Sequence, residues 1–402
     1  MKMSVEDRVF VAGAGPIGMV AAANLAMQGV PVTVFEGSPT LSSESRASTF
    51  HPPTLDMLDK LGVADDLIKD GLMAPTVQYR SKAFGAVAQF DFGDIADVTD
   101  HPYRLQSEQF KLTRIIQRHY QSNPNFRVEF NHAVKGVEQI DGGVRVQIEQ
   151  PNGATIERTG RWLIGADGAR SAVRKSVGLE FEGFTWPERF LVISTPFDFR
   201  SAYPDLASVT YVADPRQWFF LLRIPSMWRA MVPVDPDVPD DVALGEAFAI
   251  QQLESIAPGA GGPSIIHLTL YRVHQRVAAS FRRDRVFLAG DAAHINNPLG
   301  GMGMNGGIHD AFSLTNRLAG VWHSALDETA LDGYDRERRL VTLEHVQRQT
   351  IENKRNLEAA TDAEHRRYCE EMQETAADKA RSREFLLRIS MIKSLERAAE
   401  LG

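Results

Sequence analysis

The chain has 402 residues, 43% of them apolar and 24% charged, with 31 glycines and 20 prolines spread along it. That balance excludes a disordered or fibrous protein, and at ~150 residues per domain the length predicts two or three domains. Acidic residues outnumber basic ones 52 to 44, a net charge of −8, and no Lys/Arg block stands out, so no nucleic-acid partner is expected. The single cysteine, Cys369, can form neither an intrachain disulfide nor a CxxC pair, which suits a reducing compartment and predicts a cytoplasmic protein.

No charge occurs between Arg8 and Glu36, and Val9 to Met27 is apolar enough to be mistaken for a membrane span. Gly13, Gly15, Pro16 and Gly18 interrupt it, and Glu6 and Asp7 precede it, so neither a span nor a signal peptide is expected. The pattern predicts a βαβ unit instead: strand Val9–Ala12, a Gly-rich turn, helix Met19–Gln28 and strand Val32–Phe35. Helices are predicted over His51–Leu61 and Phe110–Tyr120, strands over Arg127–Phe130 and Val144–Ile148, and a hairpin turn at Asn152-Gly153. From about Phe181 to Arg283 strand signals separated by Pro-rich turns predominate: Phe190–Thr195, Ser208–Val212, Trp218–Ile224, Ala230–Val234 and Ile265–Tyr271. Arg285–Gly290 returns to a buried-strand pattern, and Gly306–Leu318 reads as a helix. No proline follows Pro298 and no glycine lies between Gly333 and Gly402, so the tail is predicted to be helical.

Three segments carry chemistry. Gly13-Ala14-Gly15-Pro16-Ile17-Gly18 is a GxGxxG turn between strand and helix, whose glycines suit a tight turn, the close approach of a pyrophosphate, and helix–strand packing. Glu36, ending the second strand, is placed to accept hydrogen bonds from a ribose diol. Trp162 to Ser171 is an apolar strand ending in Gly-Ala-Asp-Gly, where Asp167 either meets a ligand or caps the next helix. Arg285 to His294 is a strand ending in Gly290-Asp291, followed by the Gly-rich stretch Pro298 to Gly307. Gly301 to Gly306 is formally a second GxGxxG, but it does not abut a strand; exposed N–H groups at a helix start, suited to an anionic ring oxygen, are expected there. His101, His267 and His274 lack metal-ligand spacing, so no metal is expected.

In this order the three segments resemble the para-hydroxybenzoate hydroxylase-like family of single-component FAD-dependent aromatic monooxygenases, over about residues 8–340. The resemblance implies an α/β fold: a Rossmann-like FAD-binding domain (1–75, 102–180 and 285–340), a substrate domain on a largely antiparallel sheet (76–101 and 181–284), and a helical C-terminal region (341–402). It implies that Gly13, Ala14, Gly15, Pro16, Ile17 and Gly18 hold the FAD pyrophosphate, Glu36 the adenosine ribose, and Asp291 the ribityl chain. Arg46 resembles the arginine near the pyrophosphate. Gln109 resembles the glutamine that opens a helix against FAD, with Gln106 as the competing register. Asp167 resembles the Asp-Gly aspartate, and Val134 joins the same cofactor-binding set. Pro298 to Asn305 looks like the loop flanking the isoalloxazine, with Gly301 and Gly303 in it and the N–H groups of Met304 and Asn305 at the pyrimidine edge.

The implied activity is hydroxylation of a phenol, hydroxybenzoate or hydroxypyridine with NADPH or NADH and O₂, through a flavin C4a-hydroperoxide, by a monomer or homodimer. Tyr211, Trp218, Phe220, Leu222 and Arg223 are the candidate substrate contacts, taken from two strands of the second domain. Tyr211, His294 and Pro298 are the candidates closest to the chemistry. A halogenase would carry Trp-x-Trp-x-Ile-Pro, whereas Phe220 and Leu222 stand at the tryptophan positions before Ile224-Pro225. A hydroxylase or epoxidase of a quinone or lipid, and a flavin-dependent reductase, are the alternative readings.

Overall fold

The computed structural model describes residues 5–44, 47–262, 265–358 and 361–402. Strand Glu6–Ala12 lies at the centre of the first sheet, parallel to Val32–Glu36 on one side and Thr155–Gly165 on the other. Phe126–Phe130 and Val286–Leu288 extend the parallel set outwards. An antiparallel excursion, Ala133–Ile140 with Gly143–Glu149, pairs onto the first half of Thr155–Gly165. The parallel strands are unbroken apolar runs because both of their faces are covered. Helix Pro16–Met27 is apolar all round for the same reason. Every residue from Gly18 to Ala26 is buried, between the sheet and the helices Gln109–Tyr120 and Met302–Trp322. Among the described residues no helix is long and apolar enough to cross a membrane.

The second sheet runs in the order His294–Ile295, His267–Ala278, Phe181–Thr195, Met227–Val234, Phe219–Ile224, Val209–Ala213, Thr76–Ser81, Gly85–Asp91. It is antiparallel except where Val209–Ala213 meets Thr76–Ser81. Two strands are much longer than their sequence signals, 15 residues at Phe181–Thr195 and 12 at His267–Ala278. Pro187 hides the first: it sits where the ladder between them breaks register, between Thr185 and Arg189. The two-residue strands Arg282–Arg283 and His294–Ile295 join the first and second sheets respectively, so the seam between the sheets falls within 282–295.

Side-chain alternation divides this sheet into two faces. Tyr211, Trp218, Leu222 and Ile224 share an apolar cluster with Val77 and Phe90, whereas Phe219, Leu221 and Trp228 belong to a separate cluster with Leu253 and Ile256 of helix Glu246–Ile256. The helical tail covers the first face, through Leu357 of Arg348–Glu358, Cys369 and Met372 of Asp362–Ala377, and Phe385 to Ile389 of Lys379–Ile389. A small third sheet, Thr49–Phe50, Arg104–Gln106 and Leu72–Ala74, joins segments distant in sequence.

Helix Met302–Trp322 begins four residues before the expected Gly306. Gly306 and Gly307 are poor helix formers, but tertiary packing overrides propensity here. A Cβ on Gly307 would lie 2.6 Å from Ile17 Cγ1 and 2.9 Å from Gly290 Cα, so the missing side chain is what allows the two helices to approach.

Candidate functional site

The carboxyl ends of three parallel strands bring the three motifs together. The Gly13 N–H donates to Phe35 O at 2.8 Å, the Ala166 N–H to Ala12 O at 2.9 Å and the Ala289 N–H to Gly165 O at 3.0 Å. Gly13, Glu36, Asp167 and Gly290-Asp291 thereby meet at one end of the sheet, the usual ligand position of such folds. The three glycines of the first motif have different reasons to be glycine. Gly13 has φ +97°, and a Cβ there would lie 2.6 Å from Ala166 O; at Gly18 it would lie 2.0 Å from Gly13 O. At Gly15 a Cβ would meet nothing within 4 Å. Nothing in the protein asks for glycine at position 15, so the open space beside it is a cradle that a pyrophosphate fits, ahead of the free N–H groups of helix Pro16–Met27.

Glu36 already holds its place: its carboxylate accepts from the N–H groups of Ala14 and Ser38, each at 2.8 Å. Val134 is half-buried in Ala133–Ile140, on the side of Glu36, where the His132 N–H donates to Glu36 O at 2.8 Å. Asp167 does cap the next helix, its Oδ2 accepting from Ala172 N–H at 2.7 Å and Val173 N–H at 3.1 Å. Its Oδ1 is buried without a partner among the described residues, so capping leaves one oxygen for a ligand. Asp291 is exposed in the turn Gly290–Ala292, and Pro298 is exposed too. Arg46 lies outside the described residues.

A second wall comes from the small sheet. Ala47 to His51, Gln106 to Gln109 and Gly300 to Asn305 converge there: the Gln109 N–H donates to Ala47 O at 3.0 Å, and Thr49 Oγ1 donates to Gln106 Oε1 at 2.8 Å. The two glutamines differ in kind. Gln109 is half-buried at the first position of its helix, whereas Gln106 is fully buried with its Nε2 unpartnered among the described residues. His51 is also fully buried, its Nε2 donating to Gly300 O at 2.9 Å, which leaves Nδ1 an unpartnered acceptor. Burial, with the Arg104 guanidinium close by, pushes its pKa well below the usual histidine value and keeps the ring neutral.

The Gly-rich loop is shorter than expected, because Gly301, in the left-handed region at φ +68°, is the N-cap and Gly303 to Asn305 belong to the first turn. The free N–H groups at such a start are those of Met302, Gly303 and Met304. Asn305, the other donor expected at the pyrimidine edge, closes that first turn. Its side chain is a clasp, with Oδ1 accepting from the His51 N–H at 2.9 Å and Nδ2 donating to Thr49 O at 2.8 Å.

His294 is a correction. Its side chain is fully buried, stacked on Phe281, with Nε2 2.7 Å from Asp310 Oδ2, and it cannot reach a substrate. Asp310 also accepts from the Gly290 N–H at 3.1 Å and from Arg338 Nε at 2.8 Å. Burial opposes the charge on Asp310, but His294 and Arg338 outweigh it and hold the carboxyl well below the usual range. The group therefore anchors the turn that carries Asp291.

Arg223 is a second correction: one residue out of phase with Phe220 and Leu222, it points to the opposite face and pairs with Asp198 at 3.2 Å, over the Trp228 ring. Trp218 and Leu222 are buried in the apolar cluster, with Trp218 packed edge-on against Phe190, and Phe220 stacks on Tyr211. Of the five candidates, only Tyr211 lines a cavity of about 680 Å³ between the second sheet and the tail helices. Asn353, on its wall, donates to Leu299 O at 3.2 Å, so the cavity adjoins the loop that opens at Pro298. Tyr79, Tyr368 and Arg388 also line it and were missed. Tyr79 sits in register with Tyr211 across a parallel pair that nothing local in the sequence announces. Among the described residues no group of three or more His, Cys, Asp or Glu side chains could hold a metal ion.

Comparison with known proteins gives a consistent result. The FAD binding domain family matches residues 6–349. The chain is 35% identical over 390 residues to the para-nitrophenol 4-monooxygenase of Pseudomonas sp. (strain WBC-3), covering 96% of each chain. It is 36% identical over 360 residues to the 6-hydroxy-3-succinoylpyridine 3-monooxygenase of Pseudomonas putida (strain DSM 28022 / S16), covering 88% of this chain and 90% of that one. The crystal structure of p-nitrophenol 4-monooxygenase from Pseudomonas putida DLL-E4 superposes with a TM-score of 0.91 at 32% identity, over 98% of this chain and 99% of the other.

Proposed function

Since the chain belongs to the FAD-dependent aromatic monooxygenase family, we propose that it hydroxylates a small phenol or hydroxypyridine, with NADH or NADPH as reductant and O₂ as oxidant. The observation that carries this reading is the end-to-end match, 96% of each chain, to an enzyme whose name gives para-nitrophenol as its substrate. When bound, FAD supplies the oxygen activation, and no side chain is needed as a nucleophile.

What the protein contributes is placement. The fit to FAD rests on the open cradle at Gly15, the spare Oδ1 of Asp167 and the unpartnered Nε2 of Gln106. We assign the pyrophosphate to Gly13–Gly18, the adenosine ribose to Glu36 with Val134 beside it, and the ribityl chain to Asp291. Gln106 takes the glutamine role in preference to Gln109, because only its amide is buried and unsatisfied. The N–H groups of Met302, Gly303 and Met304, at the positive end of a 21-residue helix, suit a ring edge that gains negative charge. Tyr211 is the substrate contact, and the tail helices keep water from the sheet face behind it. The division into FAD-binding segments (1–75, 102–180, 285–340), substrate segments (76–101, 181–284) and a helical region (341–402) is part of the same reading. So is a cytoplasmic enzyme that works as a monomer or homodimer.

The deciding experiment is NAD(P)H-dependent O₂ uptake by the purified protein across phenols, hydroxybenzoates and hydroxypyridines, with H₂O₂ measured in parallel. A ring compound that speeds NAD(P)H oxidation without matching H₂O₂ release is expected. Uniform release of H₂O₂, or no response to any aromatic, would overturn the reading.

A further inference from the structure

The cavity between the second sheet and the tail has a wall that no motif in the sequence announces. Tyr79 and Tyr211 stack with ring centroids 5.3 Å apart, Phe385 meets Tyr79 edge-on, and Tyr368 joins them from helix Asp362–Ala377. Among the described residues the hydroxyls of Tyr79, Tyr211 and Tyr368 have no hydrogen-bond partner, although all three residues line the cavity. Three such hydroxyls in one wall are donors waiting for an acceptor. Burial, followed by the neighbouring tyrosine, pushes the Tyr79 hydroxyl up, and burial with Tyr79 does the same to Tyr368, so both keep their protons and donate.

A cation completes the wall. Of the charged groups on it, Glu352 is bonded to Arg348, Arg381 to Glu374 and Glu384 to Lys393. Arg388 has no carboxylate partner among the described residues; its guanidinium lies 5.4 Å from the Phe385 ring centroid and close enough to Tyr79 to act on its hydroxyl. Glu371 is also unpaired among the described residues and, like Arg388, exposed, but unlike Arg388 it exerts no effect on the tyrosines.

We propose that Arg388 and Tyr368, both from the helical tail, are specificity-determining residues that select aromatic substrates bearing an anionic oxygen, a phenolate or a carboxylate, which they bind together with Tyr79 and Tyr211. An oxyanion accepts several hydrogen bonds at once, and those from a guanidinium are charge-assisted, so this donor set favours it over a neutral isostere. The tail therefore reads the substrate as well as covering the sheet. The inference rests on the hydroxylase reading for the identity of the ligand as substrate, and its test separates the two.

The test is equilibrium binding to the FAD-loaded enzyme by calorimetry, with turnover measured in parallel. The probes are two matched pairs: 4-hydroxybenzoate against 4-hydroxybenzamide for the carboxylate, and pentafluorophenol against its methyl ether for the phenolate. In the wild type the anionic member of at least one pair binds more tightly, and which pair responds identifies the oxyanion. Arg388→Gln weakens that anion about tenfold or more and its neutral partner less than about twofold. Tyr368→Phe, which removes only a hydroxyl, weakens the anion roughly threefold and leaves the neutral partner unchanged. Equal losses for the charged and neutral members, or no loss in either variant, would overturn the inference even if the wild type hydroxylated aromatics. Arg388-dependent anion binding with no response to any aromatic in the O₂-uptake panel would support the pocket assignment and overturn the hydroxylase reading, and absence of binding by every probe would overturn the inference.

Discussion

Gly15 and Gly18 stand three residues apart in one motif, yet the structure predicts opposite consequences for substituting them. Gly15 has φ −69° and ψ 176°, ordinary extended backbone, and a Cβ added there would have nothing within 4 Å. Gly15→Val should therefore leave folding intact, or stabilise it by up to about 1 kcal/mol by restricting the unfolded chain. Its side chain would occupy the pyrophosphate cradle and cost two charge-assisted N–H contacts. At about 1.5–3 kcal/mol each, that weakens FAD by roughly two to four orders of magnitude. At Gly18 the added Cβ would lie 2.0 Å from Gly13 O, within the helix–strand contact itself. Gly18→Ala should therefore cost about 1–3 kcal/mol of stability through overpacking, before any cofactor is considered. The assay is a thermal melt of each apoprotein together with FAD titration by flavin fluorescence quenching. A yellow Gly15→Val enzyme with normal flavin affinity would refute the cradle. A Gly18→Ala apoprotein melting with the wild type would refute the packing argument.

Gln106→Leu should weaken FAD by roughly tenfold through loss of one hydrogen bond, whereas Gln109→Ala changes it little; the same fluorescence titration decides, and the reverse order would restore Gln109. Asp310→Asn leaves Arg338 buried without its counter-charge and should cost about 3–5 kcal/mol, seen as a lowered denaturation midpoint in urea; a midpoint within experimental error of the wild type would remove the anchor proposed for the Gly290-Asp291 turn. Burial, then the Arg338 charge, lowers the pKa of His309 from 6.5 to about 3, and burial lowers His51 in the same direction. The unfolded chain then binds protons that the folded one refuses. Stability is full above pH 6.5 and falls as the pH drops towards 3, by about 1.4 kcal/mol per pH unit for each proton. His309→Gln should flatten the decline of melting temperature with acid, and an unchanged slope would show that His309 already titrates in the fold.

Motif chemistry was legible in the sequence because it is local. The strand–GxGxxG–helix of Gly13 to Gly18, the Asp167-Gly168 turn and the Gly290-Asp291 turn each declare themselves within about ten residues, through glycines that backbone geometry, close packing or a ligand's approach calls for and strands whose apolar runs need two covered faces. Their order along the chain carried the family, and the absence of proline and glycine in the tail carried its helicity. What local pattern could not reach was decided by packing. Arg223 was misplaced because the rule that alternate strand residues share a face was not carried past Leu222. His294 passed for a catalytic base because its partner Asp310, and the Arg338 that holds Asp310 in turn, lie 16 and 44 positions along the chain and are delivered by a different helix each. The sequence favours Gln109 with Gln106 as the competing register, and the burial that distinguishes Gln106 comes only with the small sheet. The cavity proposed for the substrate is the extreme case, because Tyr79, Tyr211, Tyr368 and Arg388 come from two strands and two helices spread across most of the chain. A single tyrosine or arginine in sequence is a surface residue until the fold removes its partners, so the cofactor site was written in local geometry and the recognition site in tertiary contacts alone.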